Sequence, residues 1–428
     1  MAPARRGRGR AGSGVTALRR ERTILLLVSA VQLVNVLDFV MVVPLGPDFA
    51  AALGIPMSRL GLVTGSYTLA AAVAGAAGSG FLDRFDRRTA LAVAMAGLVV
   101  ATAAAGLATG LWTLLAARVA AGLFGGPATS LAFAIVADTV SPERRGRAMG
   151  VVMGAFSVAT VVGVPAGLWM AQAGGWRTPF LAVAGMGVVV AAGALLLMPP
   201  MRGHLVHARA AAARGYAFLR EPAALLSLSA TATSMAATFA VVPNLAAFLQ
   251  FNAGLPRDRL GFLYMAGGAL SFAVLRVVGR AIDRFGASRM AVAGTAVLLL
   301  NLALDFAPPA PLLPAWAIFI LFILANSIRN PSLSTLASRV PRASERARFQ
   351  STQSAVQHLA SAGGALLSSV LLSTAQGGVL GGMWKVAVFS GAMAIALPLL
   401  LAAVQPRVLR RESEEAREAA AAATAQEP

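Results

Sequence analysis

Of the 17 acidic residues in this chain, only Asp38 stands well inside a long apolar run, and few cations share such runs: Arg118, Arg276 and Arg329, with His358 as a further titratable group. A charge held in hydrocarbon costs at least about 2.5 to 3.5 kcal/mol on insertion scales, so each of these needs a partner or a task. The chemistry open to a lone buried carboxylate near an arginine is proton exchange. Burial favours the protonated carboxyl, an adjacent guanidinium favours the carboxylate, and parting the two loads or unloads one proton. Bond-making chemistry has no inventory. There is no cysteine, there are three histidines, Lys385 is the sole lysine, and no Gly-x-x-x-x-Gly-Lys phosphate loop occurs. No nucleophile, base and orienting group can be assembled from this set, so neither an enzyme nor a cofactor is expected. His204 and His207 have a metal-like spacing but no acidic companions, so no metal site is expected either.

The elements that would carry these residues are helices in lipid. The chain is 57% hydrophobic and only 12% charged, against about 25% charged in soluble domains. Runs near the roughly 20 residues needed to cross the bilayer recur, and twelve are read: 23–45, 58–81, 89–108, 111–137, 148–171, 176–198, 223–250, 259–281, 288–306, 312–338, 348–374 and 382–404. With the N-terminus inside, 28 of the 36 basic residues fall in cytoplasmic segments, 5 in external ones and 3 within spans, a strong positive-inside bias. Trp112, Trp169, Trp176, Trp316 and Trp384 all fall at external span ends, where indoles favour the interface. Both signals place the two termini in the cytoplasm. The net charge of +19 is therefore spread over alternate loops, which argues for membrane lipid rather than nucleic acid as its partner. Residues 1–22 form a basic tail, 199–222 a cytoplasmic linker with a basic amphipathic helix, and 405–428 a polar C-terminal tail.

The two halves repeat. Asp83-Arg84-Phe85 returns as Asp283-Arg284-Phe285, and Ala137 and Val140 return as Ala337 and Val340, each at an offset of 200 residues. This predicts an all-α membrane protein of two six-helix bundles, 23–198 and 223–404, with a site at their interface. At these residues the chain resembles the major facilitator superfamily, in particular its twelve-span drug/proton antiporter branch that includes sugar-efflux-type permeases. The loop from Ser79 to Arg88 is similar to the family's Gly-x-Leu-Ala-Asp-Arg-x-Gly-Arg-Arg, with Ser79 and Asp86 in place of two glycines. The second copy keeps Gly279, Asp283, Arg284 and Gly286 but has Ala287 where an arginine is usual. The resemblance implies that Asp83, Arg84, Arg87, Arg88 and their second-half counterparts gate the halves. Asp83 is expected to cap the start of span 3. Arg118 with Gly122, Gly125 and Gly126 resembles the family's span 4 arginine motif. Gly163, Pro165 and Gly167, followed by Trp176-Arg177-Thr178-Pro179-Phe180, resemble a diluted antiporter motif.

Asp38 lies 7 residues before the outer end of span 1 and Arg118 7 residues after the outer start of span 4. At about 1.5 Å per residue both sit roughly 10 Å below the external surface. The resemblance implies that spans 1, 4, 7 and 10 line a central cavity, so the two are expected to face each other there as the proton-coupling pair. Asn35, Asn244, Asn326, Arg329 and His358 are expected as substrate contacts. The implied function is proton-coupled export of a small drug-like or metabolite molecule by a monomer. Two alternatives stay open at this point: proton-coupled or facilitated uptake of a small nutrient, and a non-transporting receptor or scaffold.

Overall fold

The computed structural model describes residues 8–202, 217–307, 310–342 and 345–424. Twelve long helical spans follow one another, and the basic tail before Arg8 and most of the 199–222 linker, with His204 and His207, lie outside the described residues. Span 1 runs Arg8–Val40 and continues after a single turn residue as Val42–Leu53. Spans 2, 3 and 4 are Leu60–Phe81, Arg87–Gly106 and Leu111–Thr139. Span 5 is broken into Pro142–Val158 and Val164–Gly174 by a π-helical turn over Ala159–Gly163, and span 6 is Arg177–Leu197. In the second half, span 7 is Pro222–Ala247, span 8 Leu260–Phe285, span 9 Ala287–Asn301, span 10 Ala315–Ala337, span 11 Arg346–Leu371 and span 12 Met383–Thr424.

Eleven of these helices are long and apolar enough by composition to cross a bilayer. Span 11 is long enough but carries Gln350, Thr352, Gln353, Gln357 and His358 in its first half, which lowers its hydropathy below the rest. Many large apolar side chains point outward, among them Leu196, Val189 and Leu399, at 78%, 71% and 67% exposure. In water such a surface would be an aggregation liability; in lipid it is the expected face.

The described residues pack into two compact units. The first is drawn from Met1–Val42 and Val73–Ala213, the second from Val43–Ala72 and Arg214–Pro428. In the first, span 3 packs against spans 4 and 6, and span 1 against spans 4, 5 and 6. Small residues set these distances: a methyl on Gly187 of span 6 would come within 2.5 Å of Val99 on span 3. In the second unit, span 7 packs on spans 11 and 12, and span 10 on spans 8 and 9. One core of it is built from Val278, Ile282, Leu333, Leu336, Phe349 and Leu401. Span 11 ends in a hairpin pairing Ser373 with Gly381 and Thr374 with Leu380.

The repeat extends to the helix ends. Arg145 donates to the Ala137 carbonyl at 2.7 Å where span 4 stops, and Arg411 donates to the Arg339 carbonyl at 2.7 Å and to Val340 where span 10 stops. Cations there satisfy free carbonyls and oppose the negative helix end.

Candidate functional site

Asp38, in the Arg8–Val40 helix, is completely buried, as is Arg118 on span 4. Arg118 Nη1 donates to Asp38 Oδ1 at 3.1 Å and Oδ2 at 2.9 Å. Thr102, on span 3, donates its hydroxyl to Oδ1 at 2.7 Å and lies 2.8 Å from the Leu98 carbonyl oxygen as an alternative acceptor. The carboxylate is thus held by a cation from one helix and a hydroxyl from another. One turn away on span 1, the Asn35 amide donates to the Gly125 carbonyl at 3.0 Å and to the Thr129 hydroxyl at 2.5 Å. The matched depths of Asp38 and Arg118 were legible in the span boundaries. Thr102 and Thr129 were not, because a threonine in an apolar helix carries no sequence signal of its partner.

The glycine and proline pattern of span 5 lies against this pair. The π-helical turn over Ala159–Gly163 comes immediately before Pro165, where the absent amide relaxes the normal ladder. Gly163 faces span 1 so closely that an added methyl would collide with the Leu37 side chain, next to Asp38, and Gly167 would place one 4.0 Å from Met41. The Trp-Arg-x-x-Phe stretch that follows closes the outer loop. Arg177 stacks 4.5 Å over the Trp176 ring and donates to the Ala108 carbonyl at 3.1 Å, while Trp176 meets Phe180 edge-on at 5.9 Å. Trp176 is 5% exposed, so unlike Trp112, Trp316 and Trp384 it is a packing residue rather than an interface anchor.

In the second unit the expected substrate contacts are largely engaged with neighbouring helices. Asn244 donates to the Ser368 hydroxyl at 2.9 Å; Asn326 accepts from Thr238 at 2.9 Å and donates to the Phe322 carbonyl at 2.9 Å. His358 is half-buried on span 11. Arg329 is fully buried, with no hydrogen-bond partner for Nε, Nη1 or Nη2 among the described residues. A second buried acid escaped the sequence reading. Asp305, in the π-helical turn that ends span 9, accepts from Asn301 at 3.1 Å and from the Leu313 amide at 3.0 Å. Placed at the C-terminal end of its run, it tethers the loop between spans 9 and 10.

The loops between spans 2 and 3 and between spans 8 and 9 solve one turn differently. The expected cap of span 3, Asp83, stands too early, in the turn Leu82–Arg84; the cap is Asp86, whose carboxylate accepts from the Arg88 amide at 2.9 Å. Asp86 has φ −56° and needs no glycine. It also accepts from the Met201 amide at 3.1 Å and from Arg202 at 3.1 Å. Burial pushes its carboxyl up, but these amide and guanidinium donors outweigh that and hold it below the usual carboxylate range. In the second copy Gly286, at φ +88°, makes the turn, and Gln405 of span 12 takes the capping part by accepting from the Ser288 amide and hydroxyl. Arg87 pairs with Asp138 at 3.2 Å, Arg84 is exposed and Arg88 half-buried. Gly279, Asp283 and Arg284 lie toward the C-terminal end of span 8, with Arg284 5.2 Å over the Phe285 ring.

Within the second unit, Asp48 accepts a two-pronged pair of bonds from Arg257, Nε to Oδ1 at 2.7 Å and Nη2 to Oδ2. Ser58 donates its amide to Thr374 at 2.9 Å. Gly61 lies where an added methyl would strike the Ala365 carbonyl and the Ser368 and Ser369 hydroxyls. None of these contacts is written in local sequence patterns.

A sequence model of the Major Facilitator Superfamily matches residues 28–365. The chain is 30% identical over 390 residues to a chloramphenicol resistance protein of Streptomyces lividans, covering 88% of this chain and 94% of that protein. It is 26% identical over 173 residues to the purine ribonucleoside efflux pump NepI of Escherichia coli O157:H7, covering 40% and 42% of the two chains. Its fold is similar to that of a bacterial homologue of the human lysosomal transporter Spinster, with a TM-score of 0.68 at 17% identity over 91% of this chain and 95% of that one. Twelve helical spans, a half-to-half repeat and this set of relatives lead to one assignment: the chain belongs to the Major Facilitator Superfamily and is a multi-pass membrane transporter, not an enzyme.

Proposed function

We propose that this transporter exports a small, largely apolar molecule in exchange for protons by alternating access, from a cytoplasmic membrane in which both termini lie inside. The observation that carries the reading is the buried Asp38–Arg118–Thr102 triad. Asp38 is the proton carrier. Arg118 and Thr102 hold its carboxylate in this state, and movement of span 1 or span 4 that breaks these bonds would open the oxygens to a proton. Thr102 has an acceptor in both states, the carboxylate in one and the Leu98 carbonyl in the other, so protonation strands no buried hydroxyl. The relatives named for chloramphenicol resistance and for nucleoside efflux support the outward direction. The kinked, glycine-lined span 5 supports it too, because it abuts Leu37, beside the carrier.

The test is a compound panel, beginning with chloramphenicol, in everted vesicles energised with an inside-acid proton gradient. Compounds carried should collapse part of the gradient and accumulate inside with the wild type. With Asp38→Asn, gradient-driven accumulation should vanish while downhill exchange persists. Undiminished gradient-driven accumulation by Asp38→Asn would remove Asp38 from the coupling role. Accumulation in right-side-out vesicles under an outside-acid gradient would instead make the chain an importer.

A further inference from the structure

Two arginines are fully buried among the membrane helices, and they differ in one respect. Arg118 holds a carboxylate of this chain. Arg329 is equally buried, yet among the described residues none of its three side-chain nitrogens has a hydrogen-bond partner. An ionisable side chain inside a membrane bundle marks a site whose partner has to be found. Asp305, the one other acid buried among the described residues, is out of reach. The Arg329 stem rides on Gly294 of span 9, where an added methyl would come within 2.8 Å of Arg329 Cγ, and Asp305 lies eleven residues further along, roughly 16 Å up the axis. Asp305 is also already bonded to Asn301 and the Leu313 amide.

The internal repeat shows that the fold does not need a cation at this place. At the offset of 200 residues Arg329 corresponds to Thr129, which accepts from Asn35 and closes the same level of the first unit with neutral groups. The second unit has accepted a charge where a hydroxyl suffices. Two further buried polar atoms lack hydrogen-bond partners among the described residues: the Asn330 side-chain oxygen, next in sequence on span 10, and the Thr295 hydroxyl, next to Gly294 on span 9. Pro331 offers no amide, so the normal helix bond to the Ser327 carbonyl is missing one turn earlier.

We propose that Arg329 is the recognition cation for a carboxylate on the transported molecule, so that the substrate class is an apolar organic acid. This rests on the transport reading above. The planar guanidinium would grip a planar carboxylate through two parallel bonds. Alanine, valine and leucine, which dominate the surrounding helices, suit an apolar remainder.

The experiment uses the full chain in nanodiscs at neutral pH with 2-naphthoate and its neutral isostere 2-naphthamide, binding being read by microscale thermophoresis. The wild type should bind the acid about tenfold more tightly, the size of a charged hydrogen bond gained. Arg329→Met should lose that preference and keep the amide affinity, and Arg329→Lys should retain part of it. Equal binding of both probes by the wild type, or an acid preference surviving in Arg329→Met, overturns the proposal. If Arg329→Met does not yield folded protein, Arg329→Gln replaces it, and the wild-type comparison alone still decides. Failure of the transport reading is visible separately: absence of gradient collapse by every compound of the vesicle panel sinks that reading, whereas the acid–amide comparison is read in nanodiscs without a gradient.

Discussion

Asp38 and Arg118 illustrate how an ion pair and its separate members differ in cost. Removing one partner of a buried pair leaves an uncompensated charge, about 3 to 5 kcal/mol, while replacing both by apolar groups of similar volume is often neutral or stabilising. Asp38→Leu alone should therefore lower membrane abundance and the unfolding temperature in detergent, and Asp38→Leu with Arg118→Met should recover both without recovering gradient-driven transport. If the double variant still couples, the pair is structural. At this scale the sequence was partly legible. Charge in an apolar run is conspicuous and depth follows from counting residues, so Asp38 and Arg118 could be placed at one level before any coordinates. Asn244 and Asn326 were expected to meet substrate, yet their bonds go to Ser368 and Thr238. An amide in an apolar helix looks the same in sequence whether it serves a ligand or a neighbouring helix.

Helices show the same division. Span order was legible because about 30 Å of hydrocarbon imposes a length on every apolar run, but the ends were not: helix continues past residue 45 to Leu53 after span 1, and past residue 404 to Thr424 in span 12. The π-helical turn in span 5 was not, since nothing in Ala159–Gly163 distinguishes it from a regular turn. Its glycine is a sharp test. Gly163→Leu should force span 1 away at Leu37 and reduce transport by an order of magnitude or more, whereas Gly150→Leu, in the same span and facing open space, should leave it near normal; equal effects would detach the motif from Asp38. Span 3 gives a pH-dependent prediction. Asp86 has its carboxyl held low by its donors, so its contribution is complete above the ordinary carboxyl value of 3.8 and is lost as pH falls through the lower folded value. The gap in unfolding temperature between wild type and Asp86→Asn should thus be constant near neutrality and shrink only as pH falls below the ordinary carboxyl value of 3.8. A gap independent of pH would assign the effect to shape rather than charge.

At the level of the whole chain, composition, charge bias and the 200-residue repeat were enough for fold class. They could not reveal that Val43–Ala72 belongs by its contacts to the unit containing spans 7 to 12, because pairings such as Asp48 with Arg257 join residues 209 apart in sequence. The chain has no cysteine, so a cysteine pair placed at Ser58 and Thr374, whose hydroxyls are 3.0 Å apart, can be oxidised without background. Cross-linking should arrest transport and reduction should restore it. Full turnover in the cross-linked protein would mean that this outer contact never needs to open.

That same contact sets a timetable for biogenesis. Ser58 enters the membrane early in synthesis, yet Thr374, its partner 316 residues later, leaves the ribosome only after eleven spans have been made. Until then Gly61 and Gly65, both shaped to span 11, lack the surface they were cut for. A nascent chain stalled after span 6 would hold the Asp38–Arg118 pair but leave the outer ends of spans 1 and 2 unseated. Insertion chaperones and proteases would meet the protein there first, and slow translation across span 11 would lengthen their opportunity.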